Sequence, residues 1–290
     1  MSTYKLDDYR SIVGDTTIDE LHQIARRLRG RRLKMINSTA MGGGVAEILH
    51  RLVPLLNELG IRTSWEIIEG SDAFFATTKK MHHALHGNGH EPLNARDFAV
   101  FLRTNRSNAP RLIGDEDFVV VHDPQPLALV EARRRSKGTY WIWRCHIDLS
   151  CPDPDAWNFL RPFAEQYDAA IFSSPRFCDH LSIPEYVFYP PIDPLADKNR
   201  ELSPQAIHAA FASLGVPRDK PIVTQVSRFD PLKDPVGVIR AFQIARRYVD
   251  CRLVLAGGGA NDDPERPQVL SEVLQAAAGD SAPPRGAVAG

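Results

Sequence analysis

The chain is short of everything that would assign it quickly. Cys145, Cys151, Cys178 and Cys251 are its four cysteines in 290 residues, and no two share C-x-x-C spacing. They read as reduced structural thiols in a cytoplasm. No apolar run approaches the ~18 residues a membrane span requires. Net charge is −1 with both signs scattered, so no basic field predicts nucleic acid or an anionic lipid surface. The first fifteen residues are polar and partly acidic, unlike a secretory signal. Phosphate-loop, zinc-deaminase, G-x-G-x-x-G and G-x-S-x-G signatures are all missing. What remains is an ordinary globular composition, 43% apolar and 24% charged, with length for about two α/β domains.

Periodicity supplies the organisation. Thr17-Ile18-Asp19-Glu20 has capping-box spacing ahead of Leu21, Ile24, Ala25 and Leu28. Short apolar runs predict strands at Leu33–Ile36, Arg62–Ile68, Phe118–Val121, Tyr140–Cys145 and Ala169–Phe172. Helices are expected over Val45–Leu59, closed by Gly60, and near Phe74–Leu85, Pro126–Arg135 and Trp157–Tyr167. Alternating strand and helix argues for a parallel sheet wrapped by helices. The prolines of Tyr189-Pro190-Pro191-Ile192-Asp193-Pro194 impose an extended segment, which sets the expected domains at 1–190 and 191–278. The second repeats the rhythm with helix Pro204–Leu214, strand Ile222–Val226, helix Val236–Tyr248, strand Arg252–Ala256 and helix Gln268–Ala278. Residues 279–290, rich in Ala, Gly and Pro, are expected to be disordered.

Several stretches could carry chemistry. Gly42-Gly43-Gly44 joins a strand to a helix N-terminus, where backbone N–H groups favour an anion, although such a turn is also a plain tight connection. Gly257-Gly258-Gly259 invites the same pair of readings. Asp123, in Val121-His122-Asp123-Pro124, could bind hydroxyls or merely cap the next helix. His146, in Trp143-Arg144-Cys145-His146, could meet developing charge or pack against tryptophan. Ser227-Arg228-Phe229-Asp230-Pro231-Leu232-Lys233 follows a strand, where open α/β sheets bind ligands. Arg228 offers a fork for phosphate oxygens and Lys233 a mobile point charge; solvated cations at a turn are the alternative. His82, His83, His86 and His90 have metal-like spacing, but no carboxylate or cysteine completes a set, so no metal site is assigned.

Together these strings resemble the retaining GT-B glycosyltransferases of family four, and most closely the trehalose glycosyltransferring synthases. The resemblance rests on Asn37-Ser38-Thr39 with Gly42–Glu47, on Val121–Pro126, and on Trp143–Ser150. Pro190–Leu195, Thr224–Pro231 and Asp262-Asp263-Pro264-Glu265 continue it. It implies two Rossmann-like domains and transfer of glucose from a nucleoside-diphosphate glucose to glucose, giving trehalose. It puts Ser227, Arg228, Lys233 and Gly257 on the donor side, with Gly42, Gly43 and Gly44 facing the donor phosphate. His146 would touch the transferring glucose, and Asp123 would lie toward the acceptor. Trehalose phosphorylases share much of the pattern and are the alternative. The resemblance implies no tightly bound cofactor, only the nucleotide sugar as co-substrate; Mg2+ is compatible but no visible site requires it. The expected partners are small sugars, with no nucleic acid and no membrane; a homo-oligomer is left open.

One departure matters. The family's second domain carries two glutamates eight positions apart after a Gly-rich loop, and no such pair follows Gly257. Glu58 and Glu66 have the spacing but lie in the first domain. The second domain is therefore expected to be incomplete: a truncated gene, a frameshift near Ser271, or half of a split enzyme whose other half is separately encoded. A non-catalytic remnant is the corresponding alternative to an active transferase.

Overall fold

The computed structural model describes residues 5–87, 91–178, 180–199, 201–257, 266–278 and 288–289. It divides into two compact units, 1–197 and 198–290.

Unit 1 opens with α1 (Arg10–Val13) and α2 (Asp15–Ala25), followed by β1 (Arg32–Asn37), α3 (Gly44–Glu58) and β2 (Arg62–Ile67). Then come α4 (Asp72–Leu85), α5 (Ala95–Leu112), β3 (Phe118–His122) and a 3-10 segment, Leu127–Arg135. The unit continues through β4 (Tyr140–Arg144), α6 (Pro154–Ala164), β5 (Ala169–Phe172) and β6 (Glu185–Val187). The strands form one parallel sheet in the order β2-β1-β3-β4-β5-β6. From β1 the chain moves to one side for β2 and then crosses to the other for β3. The C-terminal ends of β1 and β3 therefore flank the switch point where such sheets open a crevice.

Alternation along the strands covers both faces. Ile36, Val119, Val121, Trp141 and Trp143 point into the larger core with Phe101, Leu160 and Phe172. Met35, Val120 and Ile142 point the other way, under Leu49 of α3. Trp141 and Trp143 are essentially inaccessible, so truncating either to Ala costs about 3–5 kcal/mol. A sheet covered on both faces needs the apolar, β-branched runs that the sequence shows.

Unit 2 contains α7 (Pro204–Ser213), β7 (Ile222–Val226), α8 (Pro235–Ala245), β8 (Arg252–Ala256) and α9 (Arg266–Ala278). Its core gathers Phe229, Ile239, Leu255, Val269 and Val273. β7 pairs parallel with β8, and β8 pairs with β9 (Val288–Ala289). These two residues form a strand where the tail was expected to be disordered, because their backbone completes the open edge of β8. The rest of 279–290 lies outside the described residues.

The structure departs from the sequence reading in other places as well, strand β6 among them. The first unit runs to Asp197 rather than 190, because the Asp193 carboxylate is held by Arg51 Nε at 2.6 Å and by the Tyr9 hydroxyl at 3.0 Å. The helix expected to be capped at Thr17 begins at Asp15, with Gly14 at φ +86° before it, and Thr17 Oγ1 donates to the Val13 carbonyl instead. The segment after Pro126 winds as a 3-10 turn, not an α-helix. Helix α5 was not anticipated, since Asn105, Asn108 and Pro110 dilute its apolar stripe. Its start was nonetheless legible: Asn94 and Asp97 form a reciprocal capping box.

Candidate active site

In a parallel sheet every strand ends on the same edge, so residues distant in sequence meet there. β3 ends at His122, followed by Asp123, and β4 at Arg144, followed by Cys145 and His146, with His122 and Arg144 in direct register. The Asp123 amide donates to the Arg144 carbonyl at 2.9 Å, and Trp143 Nε1 donates back to the Asp123 carbonyl at 3.1 Å. These bonds lock Asp123 at φ +62°, a left-handed conformation that a residue with a Cβ adopts at a cost. The Asp123 carboxylate is thereby turned so that Oδ1 accepts from the His146 amide at 2.8 Å.

His146 also meets His122: its Nε2 lies 3.0 Å from His122 Nδ1, and the two rings lie nearly parallel. His122 is buried, whereas His146 and Asp123 each keep part of the side chain accessible. His146 Nδ1 and Asp123 Oδ2 have no hydrogen-bond partner among the described residues and are not sealed from solvent. Burial dominates the electrostatics. It pushes His122 well below its ordinary pKa and His146 below it too, and it raises Asp123 against the opposing pull of His146, Arg144 and His86. Arg144 donates from Nη1 to the Phe172 carbonyl at 3.1 Å and from Nη2 to the Phe188 carbonyl at 2.6 Å, so it braces the strand ends. Burial pushes the Cys145 thiol well up, which makes it a packing group rather than a nucleophile. The arrangement presents a hydrogen-bonding imidazole and a carboxylate oxygen side by side in sequence register, the pair a polyhydroxylated ligand needs.

The glycine loop leaves β1 on the same edge. Gly42 and Gly43 have φ +77° and +81°, which accounts for glycine at both. Gly44 has no such excuse: its φ is not left-handed, and a Cβ there would meet nothing within 4 Å. It opens the fifteen-residue helix α3, whose first N–H groups receive no side-chain cap. The loop is held in shape from below. Asn37 Nδ2 donates to the Thr39 carbonyl at 2.7 Å, Trp65 Nε1 donates to Asn37 Oδ1 at 2.8 Å, and His50 Nε2 lies 3.0 Å from the Ala40 carbonyl.

In unit 2 the predicted residues follow the ends of β7 and β8. Arg228 is ion-paired, Nη2 to Asp230 Oδ2 at 3.2 Å, and Asp230 is almost completely buried. Lys233 is exposed at the end of a one-turn 3-10 segment, and its carbonyl accepts from Gln225 Nε2 at 2.7 Å. Ser227 Oγ donates to the Arg228 carbonyl at 3.1 Å. A Cβ on Gly257 would lie 2.2 Å from the Ser227 carbonyl, so close packing of two strand ends requires this glycine whatever else it does. Gly258 and Gly259 lie outside the described residues.

Sequence reasoning missed His86 and the role of His122. His86 was grouped only as a metal candidate, yet it follows α4 close enough to act on the Asp123 carboxyl. Among the described residues no set of three or more His, Cys, Asp or Glu side chains is placed to hold a metal, and no helix is long and apolar enough to cross a membrane. His90 lies outside the described residues.

Asp123, His146 and the glycine loop all fall inside residues 35–179, which match the family described as trehalose synthase, N-terminal domain. The chain belongs to the trehalose synthase family. The trehalose synthase of Pyrococcus horikoshii is 44% identical over 265 residues, covering 90% of this chain and 63% of that protein. The trehalose synthase of Rubrobacter xylanophilus is 42% identical over 282 residues, covering 95% and 68%. A trehalose phosphorylase of Grifola frondosa is a weaker relative, 27% identical over 324 residues, with 93% and 43% covered. The chain thus spans somewhat under two thirds of the Pyrococcus relative. Among solved structures, a UDP-forming α,α-trehalose-phosphate synthase from Burkholderia xenovorans, in complex with glucose-6-phosphate, superposes with TM-score 0.68 at 15% identity, over 86% of this chain and 70% of that one. The fold of this trehalose synthase family chain is therefore α/β of the GT-B type, with a Rossmann-like sheet in each unit.

Proposed function

We propose that the chain takes part in a retaining hexosyl transfer from a nucleoside-diphosphate glucose to glucose, forming trehalose. The observation that carries this reading is the shared strand edge. There the accessible Nδ1 of His146 and Oδ2 of Asp123 have no partner among the described residues and stand where a sugar's hydroxyls would bind. In this reading His146 hydrogen-bonds the transferring glucose and Asp123 accepts from hydroxyls of the acceptor. The open N–H groups at Gly44 favour the donor's negative charge. Within unit 2, Arg228, oriented by Asp230, and the exposed Lys233 make a cation pair suited to charge-assisted hydrogen bonds with a diphosphate, with Ser227 and Gly257 at the same strand ends. The protein's contribution is alignment and electrostatic stabilisation of the departing diphosphate, whose oxygen accepts the acceptor's proton as the new bond forms. Reaction in a cytoplasm follows from the nucleotide-sugar donor.

The experiment is direct. The chain is incubated with glucose and UDP-, ADP- or GDP-glucose, and trehalose is read from its anomeric proton signal. Trehalose with retained α configuration supports the proposal. Release of glucose 1-phosphate from trehalose and inorganic phosphate, without use of any nucleotide sugar, would favour the phosphorylase reading instead.

A further inference from the structure

His122 is the buried polar group that the reading above does not use. Its Nδ1 lies 3.0 Å from His146 Nε2, while its Nε2 is sealed from solvent with no hydrogen-bond partner among the described residues. A single proton sits between the two rings, so only two neutral arrangements exist. In one, His146 Nε2–H donates to His122 Nδ1. His122 must then carry its own proton on Nε2, a buried donor with no acceptor. In the other, His122 Nδ1–H donates to His146 Nε2, and the buried His122 Nε2 is a bare lone pair. Orphaned buried N–H groups are the rarer and costlier case. The second arrangement wins, and it leaves His146 protonated at Nδ1, its only ring nitrogen still open.

We infer that His122 is a positioning residue: it holds His146 neutral, in the Nδ1–H tautomer, so that the ligand-facing atom is always a donor set beside the acceptor Asp123 Oδ2. In that form His146 donates a hydrogen bond to an oxygen of the transferring glucose, while Asp123 Oδ2 accepts one from an acceptor hydroxyl. A third proton on the pair would have to enter at His122 Nε2 or break the ring-to-ring bond, so the pair resists charging. Arg144 acts on both rings and Asp123 acts on His146, whose amide it accepts; His86 acts on Asp123, and Asp123 on Cys145. The functional part of this inference rests on the hexosyl-transfer reading; the tautomer does not.

The test is long-range proton–nitrogen NMR of the full chain labelled with 15N-histidine, with the signals assigned from His122→Asn and His146→Gln. His146 should show one fixed neutral tautomer, protonated on Nδ1, and should keep it as the pH falls below 6.5. In His122→Phe, which keeps a ring but removes both nitrogens, His146 should exchange between its two neutral tautomers. His122→Asn, whose amide can stand near the Nδ1 position, should restore the fixed form. In the transfer assay His122→Phe should lower kcat about tenfold or more with little change in KM for glucose, and His122→Asn should recover part of it. A wild-type His146 protonated on Nε2, or one equally fixed in His122→Phe, overturns the inference. The wild-type spectrum decides the tautomer alone should His122→Phe fail to fold. Absence of trehalose formation by the wild-type chain counts against the transfer reading and leaves the spectra decisive for this one.

Discussion

Asp123 Oδ1 accepts a hydrogen bond from the amide of His146 at 2.8 Å, which ties the end of β3 to the end of β4 through one carboxylate. Among the described residues, nothing hydrogen-bonds the second oxygen of that carboxylate. A side chain that splits its two oxygens between scaffold and ligand can be tested by removing the charge and keeping the shape.

Asp123→Asn should do this. The amide oxygen can still accept from His146, and asparagine tolerates the left-handed backbone at φ +62°. The melting temperature should therefore stay within a few degrees, while trehalose formation drops about a hundredfold or more. A large loss of stability with unchanged turnover of the remaining folded protein would assign Asp123 to the scaffold alone.

Acidification should destabilise unit 1. His122 and His146 both have folded pKa values below 6.5. As the pH falls through 6.5 the unfolded chain gains protons that the folded chain refuses, so stability declines until the folded values are passed. Each ring can add a slope of up to about 1.4 kcal/mol per pH unit. Asp123 works in the opposite sense: its raised pKa gives stability that is present below 3.8 and lost as the pH rises through the folded value. Thermal melts from pH 7.5 to 5.5 should thus fall more steeply for the wild type than for His122→Phe. Parallel curves would contradict the assignment.

Gly44→Ala and Gly257→Ala should part company. At Gly44 a Cβ meets nothing, and alanine is the better helix former, so stability should hold or rise slightly. If the donor's phosphate approaches that backbone, affinity for the nucleotide sugar should still fall severalfold. At Gly257 the added Cβ collides with the Ser227 carbonyl, and unit 2 should lose about 1–3 kcal/mol or more. Calorimetric binding and urea unfolding separate the two effects.

Arg228→Ala should weaken nucleotide-sugar binding at least about tenfold, because a charged hydrogen bond contributes about 1.5–3 kcal/mol. It should also destabilise unit 2, since Asp230, with 1% of its side chain exposed, loses its ion pair with Arg228. Adding Asp230→Asn to Arg228→Ala should restore stability without restoring binding. Recovery of both would mean that the arginine serves only the buried carboxylate.

By itself the sequence determined the rhythm. The runs at Val119–Val121, Trp141–Trp143 and Ala169–Phe172 dictate strands because only a sheet covered on both faces buries such residues, and Gly60 could be read as the stop of α3. The strings around Asp123, His146 and Arg228 were legible for the same reason: short polar motifs directly after buried runs mark the ends of parallel strands. Periodicity could not reveal α5, whose apolar stripe is broken by asparagines that reach across to Glu69 and Gln125. Nor could it separate Gly257, demanded by a neighbouring carbonyl, from Gly44, where an added Cβ would meet none of the described residues within 4 Å. Tertiary structure alone decided which protons His122 and His146 carry. That depends on a 3.0 Å contact between rings twenty-four residues apart and on a buried nitrogen without a partner among the described residues. Such a relation belongs to the register of β3 on β4, and no local pattern along the chain encodes it.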